Sequence, residues 1–240
     1  DEWTICLWTQ RDTFSTTYRI MGMDDADTVI YTNEHSFRMV WTPSGVQYSS
    51  DIFDRGTTGM TAVNSSTDWK LHCFVRNSTG YAYYLDNTLE SQNTTFVATW
   101  VDQNKVLTLN SNTKPASVCT NEGMDGIDEV GLWNRALNET HLDLVWNEGA
   151  GVSYEATAET NNTWNSTFEE NLRAIWNFEE TSGTVLFDVW NYTSNGTNNG
   201  ATLQATGINN YAYDFESTEF DNVTIPTTAQ LESDSVTINV

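Results

Sequence analysis

Trp3-Thr4-Ile5-Cys6-Leu7-Trp8 alternates with a period of two, so that Trp3, Ile5 and Leu7 share one face and Thr4, Cys6 and Trp8 the other. Successive side chains point to opposite faces of a strand, so the segment reads as β. Val236-Thr237-Ile238-Asn239-Val240 is the same kind of strand written a second time. Just before that copy stands Asp221-Asn222-Val223-Thr224-Ile225-Pro226, a strand with no counterpart ahead of the first copy. The order reads as one β-domain entered partway through and the beginning of another.

Working outward, the same alternation predicts strands at Ser36–Trp41, Trp69–Arg76, Tyr81–Leu85, Val106–Leu109, Glu129–Trp133, Ala174–Phe178, Val185–Phe187, Ala212–Phe215 and Asn222–Ile225, with others at Thr28–Tyr31 and Phe96–Trp100. Pro43-Ser44-Gly45, Asp54-Arg55-Gly56, Ser78-Thr79-Gly80 and Ser182-Gly183 are turn signals between them. Many short strands and few helices predict an all-β protein, an antiparallel two-sheet sandwich or jelly roll. One short helix is expected, with Asn138 as its cap, Leu142, Val145 and Trp146 on one face and Gly149 as its stop. Its apolar face is expected over an edge of the sandwich. Residues 155–170 are polar and read as a linker.

The charge excludes several partners. A net charge of −23 with only ten Lys plus Arg leaves nothing to neutralise phosphates, so nucleic acid and anionic membrane surfaces are disfavoured. No run of about 18 apolar residues is present to form a membrane-crossing helix. The three cysteines, Cys6, Cys73 and Cys119, leave at least one unpaired within this segment. Cys6 and Cys73 lie in strand-like runs, where buried thiols and a bridge are equally compatible with the sequence. Asn-x-Ser/Thr sequons occur at Asn64, Asn77, Asn93, Asn138, Asn161, Asn165, Asn191, Asn195 and Asn222. Asn77 falls in a turn, and Asn222 alternates with Val223 and Ile225, so both are expected to project a glycan into water. An unglycosylated Asn/Thr-rich surface is the alternative.

Trp69-Lys70-Leu71-His72-Cys73-Phe74-Val75-Arg76, a turn and Tyr84-Leu85-Asp86-Asn87 resemble paired central strands of the concanavalin A-like, laminin-G-like jelly-roll family. Gly126-Ile127-Asp128-Glu129-Val130-Gly131-Leu132-Trp133-Asn134-Arg135-Ala136-Leu137 resembles its C-terminal signature. Trp176-Asn177-Phe178-Glu179-Glu180 through Asp188, Gly200-Ala201 and Phe215 to Pro226 resemble its N-terminal signature. The two signatures stand in reversed order. Leu71 stands where the family often has His, and Asn87 where it usually has Gly. Three arrangements fit: an excerpt of tandem domains, a circular permutation, or strand exchange with a neighbouring copy. The first and third are weighted above permutation. On that reading 1–154 is a jelly roll lacking its N-terminal strands, and 171–240 completes a neighbouring unit. An open edge is a template for strand addition, and head-to-tail exchange that fails to close makes a fibre.

The resemblance implies a calcium site near Asp128, with Asp125, Glu179 and Asp188 as further oxygen ligands. Glycoside hydrolysis, known in some relatives, needs two facing carboxylates. Asp128 and Glu129 are adjacent and expected on opposite faces, the wrong spacing for it. His35, His72 and His141 sit in no nucleophile motif, and no zinc spacing or phosphate-binding glycine loop occurs. Trp164, Trp190 and Tyr192 lie in polar contexts, as sugar-stacking residues would, whereas Trp3, Trp69, Trp133 and Trp176 fall in strands and are expected in the core. These readings predict a non-enzymatic extracellular or cell-surface glycoprotein that forms a fibre or adhesin with copies of itself. The alternative is a carbohydrate-binding module of a secreted protein, with a glycosidase as a weaker third.

Overall fold

The computed structural model describes residues 2–11, 18–25, 37–42, 45–50, 54–57, 67–93, 105–110, 125–152, 166–216 and 221–226. Its strands form two antiparallel sheets. The first runs β14 (Thr202–Thr206), β15 (Tyr211–Asp214), β10 (Gly126–Trp133), β1 (Trp3–Gln10), β6 (Lys70–Asn77), β7 (Gly80–Leu85) and β8 (Thr88–Asn93). A further strand, β11 (Leu172–Trp176), also pairs with β10. The second sheet runs β12 (Val185–Leu186), β13 (Gly196–Asn199), β16 (Asn222–Pro226), β9 (Lys105–Leu109), β2 (Tyr18–Asp25), β3 (Phe37–Thr42), β4 (Gly45–Ser50) and β5 (Asp54–Thr57).

β1 shows how the alternation is used. Ile5 and Leu7 enter the core between the sheets, packed with Ile20, Met21, Leu107, Leu109, Val223 and Ile225 of the second sheet. Cys6 and Trp8 belong to a second apolar cluster, with Leu142, Val145 and Phe168. Both faces of the strand are therefore buried. The cover on the second face includes α1 (Glu139–Trp146), which is capped as expected: the Asn138 side chain accepts from the His141 N–H. The helix lies over the outer face of the first sheet and not over an edge of the sandwich. The physical reason is Cys6, Trp8, Val75 and Trp133, which make that outer face too apolar to meet water.

The linker expected at 155–170 is corrected at its C-terminal end. Ser166–Glu169 form a helical turn, α2, that buries Phe168 against Trp133 with ring centroids 5.4 Å apart. The Trp133 Nε1–H donates to the Phe168 carbonyl at 3.2 Å, so the indole polar group is satisfied as well. One aromatic side chain thus holds a polar segment down. Trp164 and the rest of the linker lie outside the described residues, as do the strands expected at Thr28–Tyr31, Phe96–Trp100 and Val236–Val240.

The larger correction concerns the described strands of 171–226. Residues Val130 to Trp133 of β10 pair with β11, Gly126 and Ile127 pair with β15, and β16 pairs with β9. These strands complete the sandwich of their own chain instead of a neighbour's. Trp176, Phe178, Tyr213 and Phe215 are buried in the same core as Ile5 and Leu7. Each such side chain gains roughly 1.5–3 kcal/mol on burial, so closure within one chain satisfies the apolar demand without a partner. The two signatures, reversed in sequence, meet along one edge of β10, the other being taken by β1, and in one core. Among the described residues the late strands pair within the chain, as the permuted arrangement, the one given less weight above, would have them.

Cys6 and Cys73 stand opposite each other on β1 and β6, with Cα atoms 4.2 Å apart, and form a disulfide across 67 residues of sequence. Both are buried under the helical layer. Cys119 lies outside the described residues.

Candidate functional site

Two buried aspartates organise the polar features of this fold. Asp128 lies on β10 where its edge partner changes from β15 to β11, at a bulge in the pairing with β1. Glu129, the next residue, has a left-handed backbone with φ of 46°, which a bulge accommodates. The Asp128 Oδ1 accepts from the Glu129 N–H at 2.8 Å. Its Oδ2 accepts from Ile208 N–H at 2.9 Å and Asn209 N–H at 3.3 Å, in the turn between β14 and β15. Glu179 holds the same turn through the Tyr211 N–H at 3.2 Å. Burial pushes the Asp128 carboxyl up to about 8, aided by the Glu179 charge and opposed by the three backbone N–H groups. Asp128 is a staple between β10 and the turn, with no solvent-facing oxygen to offer a substrate.

Asp188 performs a similar task for the loop that follows β12. Its Oδ1 accepts from Ile175 N–H at 3.2 Å and Trp190 N–H at 3.1 Å, and its Oδ2 from Ser194 N–H at 3.2 Å. Its own N–H donates to Asn195 Oδ1 at 2.9 Å, and its carbonyl accepts from Tyr192 N–H at 3.0 Å. The loop also closes the outer edge of β11: Val189 N–H donates to the Ile175 carbonyl, and Asn191 Nδ2 to the Arg173 carbonyl. An edge covered in this way is no template for strand addition.

This braced loop carries the exposed aromatics. Phe187 is 45% exposed, Trp190 37% and Tyr192 66%. Tyr192 has φ of 62°, a conformation that costs a non-glycine residue about 1 kcal/mol and needs support from its surroundings. The sequence singled out Trp190 and Tyr192 and missed Phe187, which it assigned to a strand. In fact β12 ends at Leu186, and the Phe187 N–H donates to Glu180 Oε1 at 2.8 Å. The available signal was three aromatics within six residues, interleaved with Asp188 and Asn191. Of the tryptophans expected in the core, Trp133 and Trp176 are fully buried, while Trp3 and Trp69 are partly exposed.

The four residues expected to hold calcium are not brought together. Asp128 and Glu179 share the turn at 207–211, Asp188 is saturated by backbone donors on another loop, and Asp125 uses its backbone to pair with Gln10 and Phe215. Among the described residues no group of three or more His, Cys, Asp and Glu side chains is placed to hold a metal ion. Calcium prefers six to eight oxygens, and backbone N–H donors occupy the oxygens that Asp128 and Asp188 would supply.

The sequons divide. Asn77 is half-buried at the end of β6, before the exposed turn at Ser78 and Thr79, its Oδ1 accepting from Thr79 N–H, Thr79 Oγ1–H and Gly80 N–H. Asn138 is exposed at the helix cap. Asn191 and Asn195 are half-buried in the loop around Asp188. Asn222 is buried, accepting from Asn199 Nδ2 at 2.9 Å, which corrects the expectation that it points into water. The reason is that β13 lies alongside and Asn199 folds over it. Asn64, Asn161 and Asn165 lie outside the described residues, as does the side chain of Asn93.

His72 is a core residue between Thr9 Oγ1 at 2.9 Å and the Tyr83 hydroxyl at 2.8 Å, and burial pushes it down to about 3. It stays neutral at physiological pH and has no exposed nucleophile beside it. His141 sits half-buried on α1, and His35 is outside the described residues.

No family model matches this chain, and no curated protein matches it. Among solved structures it is similar to a candidate carbohydrate-binding protein from Bacteroides ovatus, at 15% identity and a TM-score of 0.55, covering 87% of this chain and 56% of that one. It is also similar to the CBM40 domain of a Ruminococcus gnavus sialidase bound to α2,3-sialyllactose, at 12% identity and a TM-score of 0.46, covering 59% of this chain and 80% of that one. A third is domain 4 of a GH43 extracellular arabinanase from Geobacillus stearothermophilus in complex with arabinotriose, at 14% identity and a TM-score of 0.43, covering 58% and 63%. This chain therefore spans under two thirds of the Bacteroides and Geobacillus chains. The likeness to the Bacteroides protein bears on the fold, a jelly-roll β-sandwich, and the laminin-G-like assignment stays a resemblance.

Proposed function

We propose that this chain is a non-enzymatic carbohydrate-binding module of a secreted protein, and that the loop at 187–192 is its sugar-contacting surface. The observation that carries the reading is the exposure of Phe187, Trp190 and Tyr192 on a loop whose backbone is fixed by Asp188. Aromatic faces stack on the apolar faces of sugar rings, and a fixed loop loses little entropy on binding. The Bacteroides ovatus protein of the same fold is described as a candidate carbohydrate-binding protein, which is consistent with the reading but does not carry it. The Cys6–Cys73 disulfide supports an oxidising, extracellular setting.

The competing functions lose their premises. The fibre reading rested on late strands leaving for a neighbour, whereas those of 171–226 pair within this chain and the loop covers β11, which does not support it. A glycosidase needs an accessible acid beside a second carboxylate; Asp128, though held up in its titration next to Glu179, is sealed against backbone N–H groups.

Glycan-array screening followed by calorimetry tests the proposal. The protein should bind a neutral oligosaccharide, and Trp190→Ala and Tyr192→Ala should each weaken that binding about tenfold or more, with Tm unchanged. Failure to bind any glycan, or variants that bind like the parent, would sink it.

A further inference from the structure

We infer that Asp188 is the positioning residue of the aromatic loop, and that its carboxylate sets the binding geometry of Trp190 and Tyr192 instead of ligating a cation. The inference rests on the sugar-binding reading above and adds a residue that touches no sugar. It starts from a conflict between expectation and structure. The resemblance places Asp188 in a calcium site, whereas its side chain is fully buried and both oxygens are occupied by three backbone N–H donors.

Those donors come from three places. Ile175 belongs to β11, in the body of the first sheet; Trp190 is one of the exposed aromatics; Ser194 lies beyond the loop's far end. One carboxylate therefore ties the loop's middle and its exit to the sandwich. The Ser194 carbonyl also accepts from Trp176 Nε1–H at 2.8 Å, which anchors that exit to a core indole. The Asp188 carbonyl meanwhile accepts from the Tyr192 N–H, holding the most exposed aromatic in a left-handed backbone that it would otherwise leave. Without the carboxylate, three donors lose their acceptor, two of them buried, and the loop that presents Trp190 and Tyr192 loses its ties to β11 and to Ser194. Sugar binding must then order the loop before it gains any stacking.

Asp188→Asn separates positioning from mere structure. The amide keeps one oxygen for Ile175 and Trp190, but turns its NH2 toward the Ser194 N–H. The probe is a panel of neutral gluco-, galacto-, manno- and arabino-configured tetrasaccharides, read by calorimetry, with hydrogen exchange followed by mass spectrometry on the same samples. Expected for Asp188→Asn is an affinity loss of about tenfold or more, with exchange accelerated at 187–195 and unchanged in β1 and β10. Saturating tetrasaccharide should return the loop's exchange to the parent level, which a purely structural defect would not do. Should the amide variant fail to fold, Ser194→Pro, which deletes one donor N–H and leaves the carboxylate, gives the same readout. Parent-like affinity in Asp188→Asn while the parent binds sugar overturns the positioning role alone. An affinity that rises with added calcium chloride in the parent and not in Asp188→Asn overturns it in favour of a cation site. A parent that binds no tetrasaccharide, yet whose loop still loosens in the variant, overturns the sugar reading and removes the binding role with it.

Discussion

Replacing Asp128 with asparagine should remove a pH dependence of stability that the parent protein carries. The carboxyl titrates near 3.8 when exposed and is raised to about 8 in the fold, chiefly by burial. Between those values the folded chain keeps the proton and the unfolded chain releases it, so raising the pH favours unfolding. The contribution of Asp128 is thus complete below about pH 4, falls as pH climbs toward 8, and levels off once both states are ionised. The slope is about 1.4 kcal/mol per pH unit, and the whole window is worth on the order of 5 kcal/mol. Asparagine has no proton to release, so the stability difference between parent and Asp128→Asn isolates this one group from every other carboxylate. Urea unfolding of both proteins at about pH 5, 6, 7 and 9 measures it. The parent's advantage should shrink by about 1.4 kcal/mol for each unit up to 7 and change little beyond 8. A difference that stays constant, or grows with pH, would refute the reasoning. It would mean that the Glu129, Ile208 and Asn209 N–H groups hold the carboxylate ionised despite its burial.

Other expectations follow from the same packing. Phe168→Ala should cost about 3–5 kcal/mol in denaturant unfolding, because it empties the site beside Trp133 and releases a polar segment. Gly207→Ala should destabilise by about 1–3 kcal/mol, since a Cβ there would overlap the Tyr211 carbonyl oxygen and Asp128 Oδ2; a parent-like Tm would contradict that. Replacing both Cys6 and Cys73 by Ala should lower stability by about 2–4 kcal/mol, as expected for opening a loop of 67 residues, and labelling of Cys6 and Cys73 in the reduced parent, located by peptide mapping, should proceed only on unfolding.

Strands with apolar alternation were legible in the sequence. Trp3–Gln10, Lys70–Asn77, Gly80–Leu85 and Asn222–Pro226 lie within two residues of where the pattern puts them. Strands without it were invisible: Gly196–Asn199 reads Gly-Thr-Asn-Asn and Thr202–Thr206 reads Thr-Leu-Gln-Ala-Thr. Such segments are strands because neighbours offer a ladder, and the pattern of one segment does not report that offer. Asn138 announced its helix correctly, but the face that helix covers depended on Cys6 and Trp8, more than 130 residues earlier. The site was half legible. Trp190 and Tyr192 stood out by context, whereas Asp188 looked like an ion ligand because a carboxylate's backbone partners come from the fold, and Ile175, Trp190 and Ser194 do not form a sequence motif.

The pairing of β10 with both β1 and the late strands has a consequence for synthesis. Thr4 can meet Val75 early but waits for Trp133 on its other side, and Leu109 can meet Met21 but waits for Val223. As the polypeptide leaves the ribosome, its first hundred or so residues therefore carry half-built sheets whose missing neighbours have yet to be translated. Such long-range ladders assemble slowly and expose apolar surface in the intermediates until the late strands are in place.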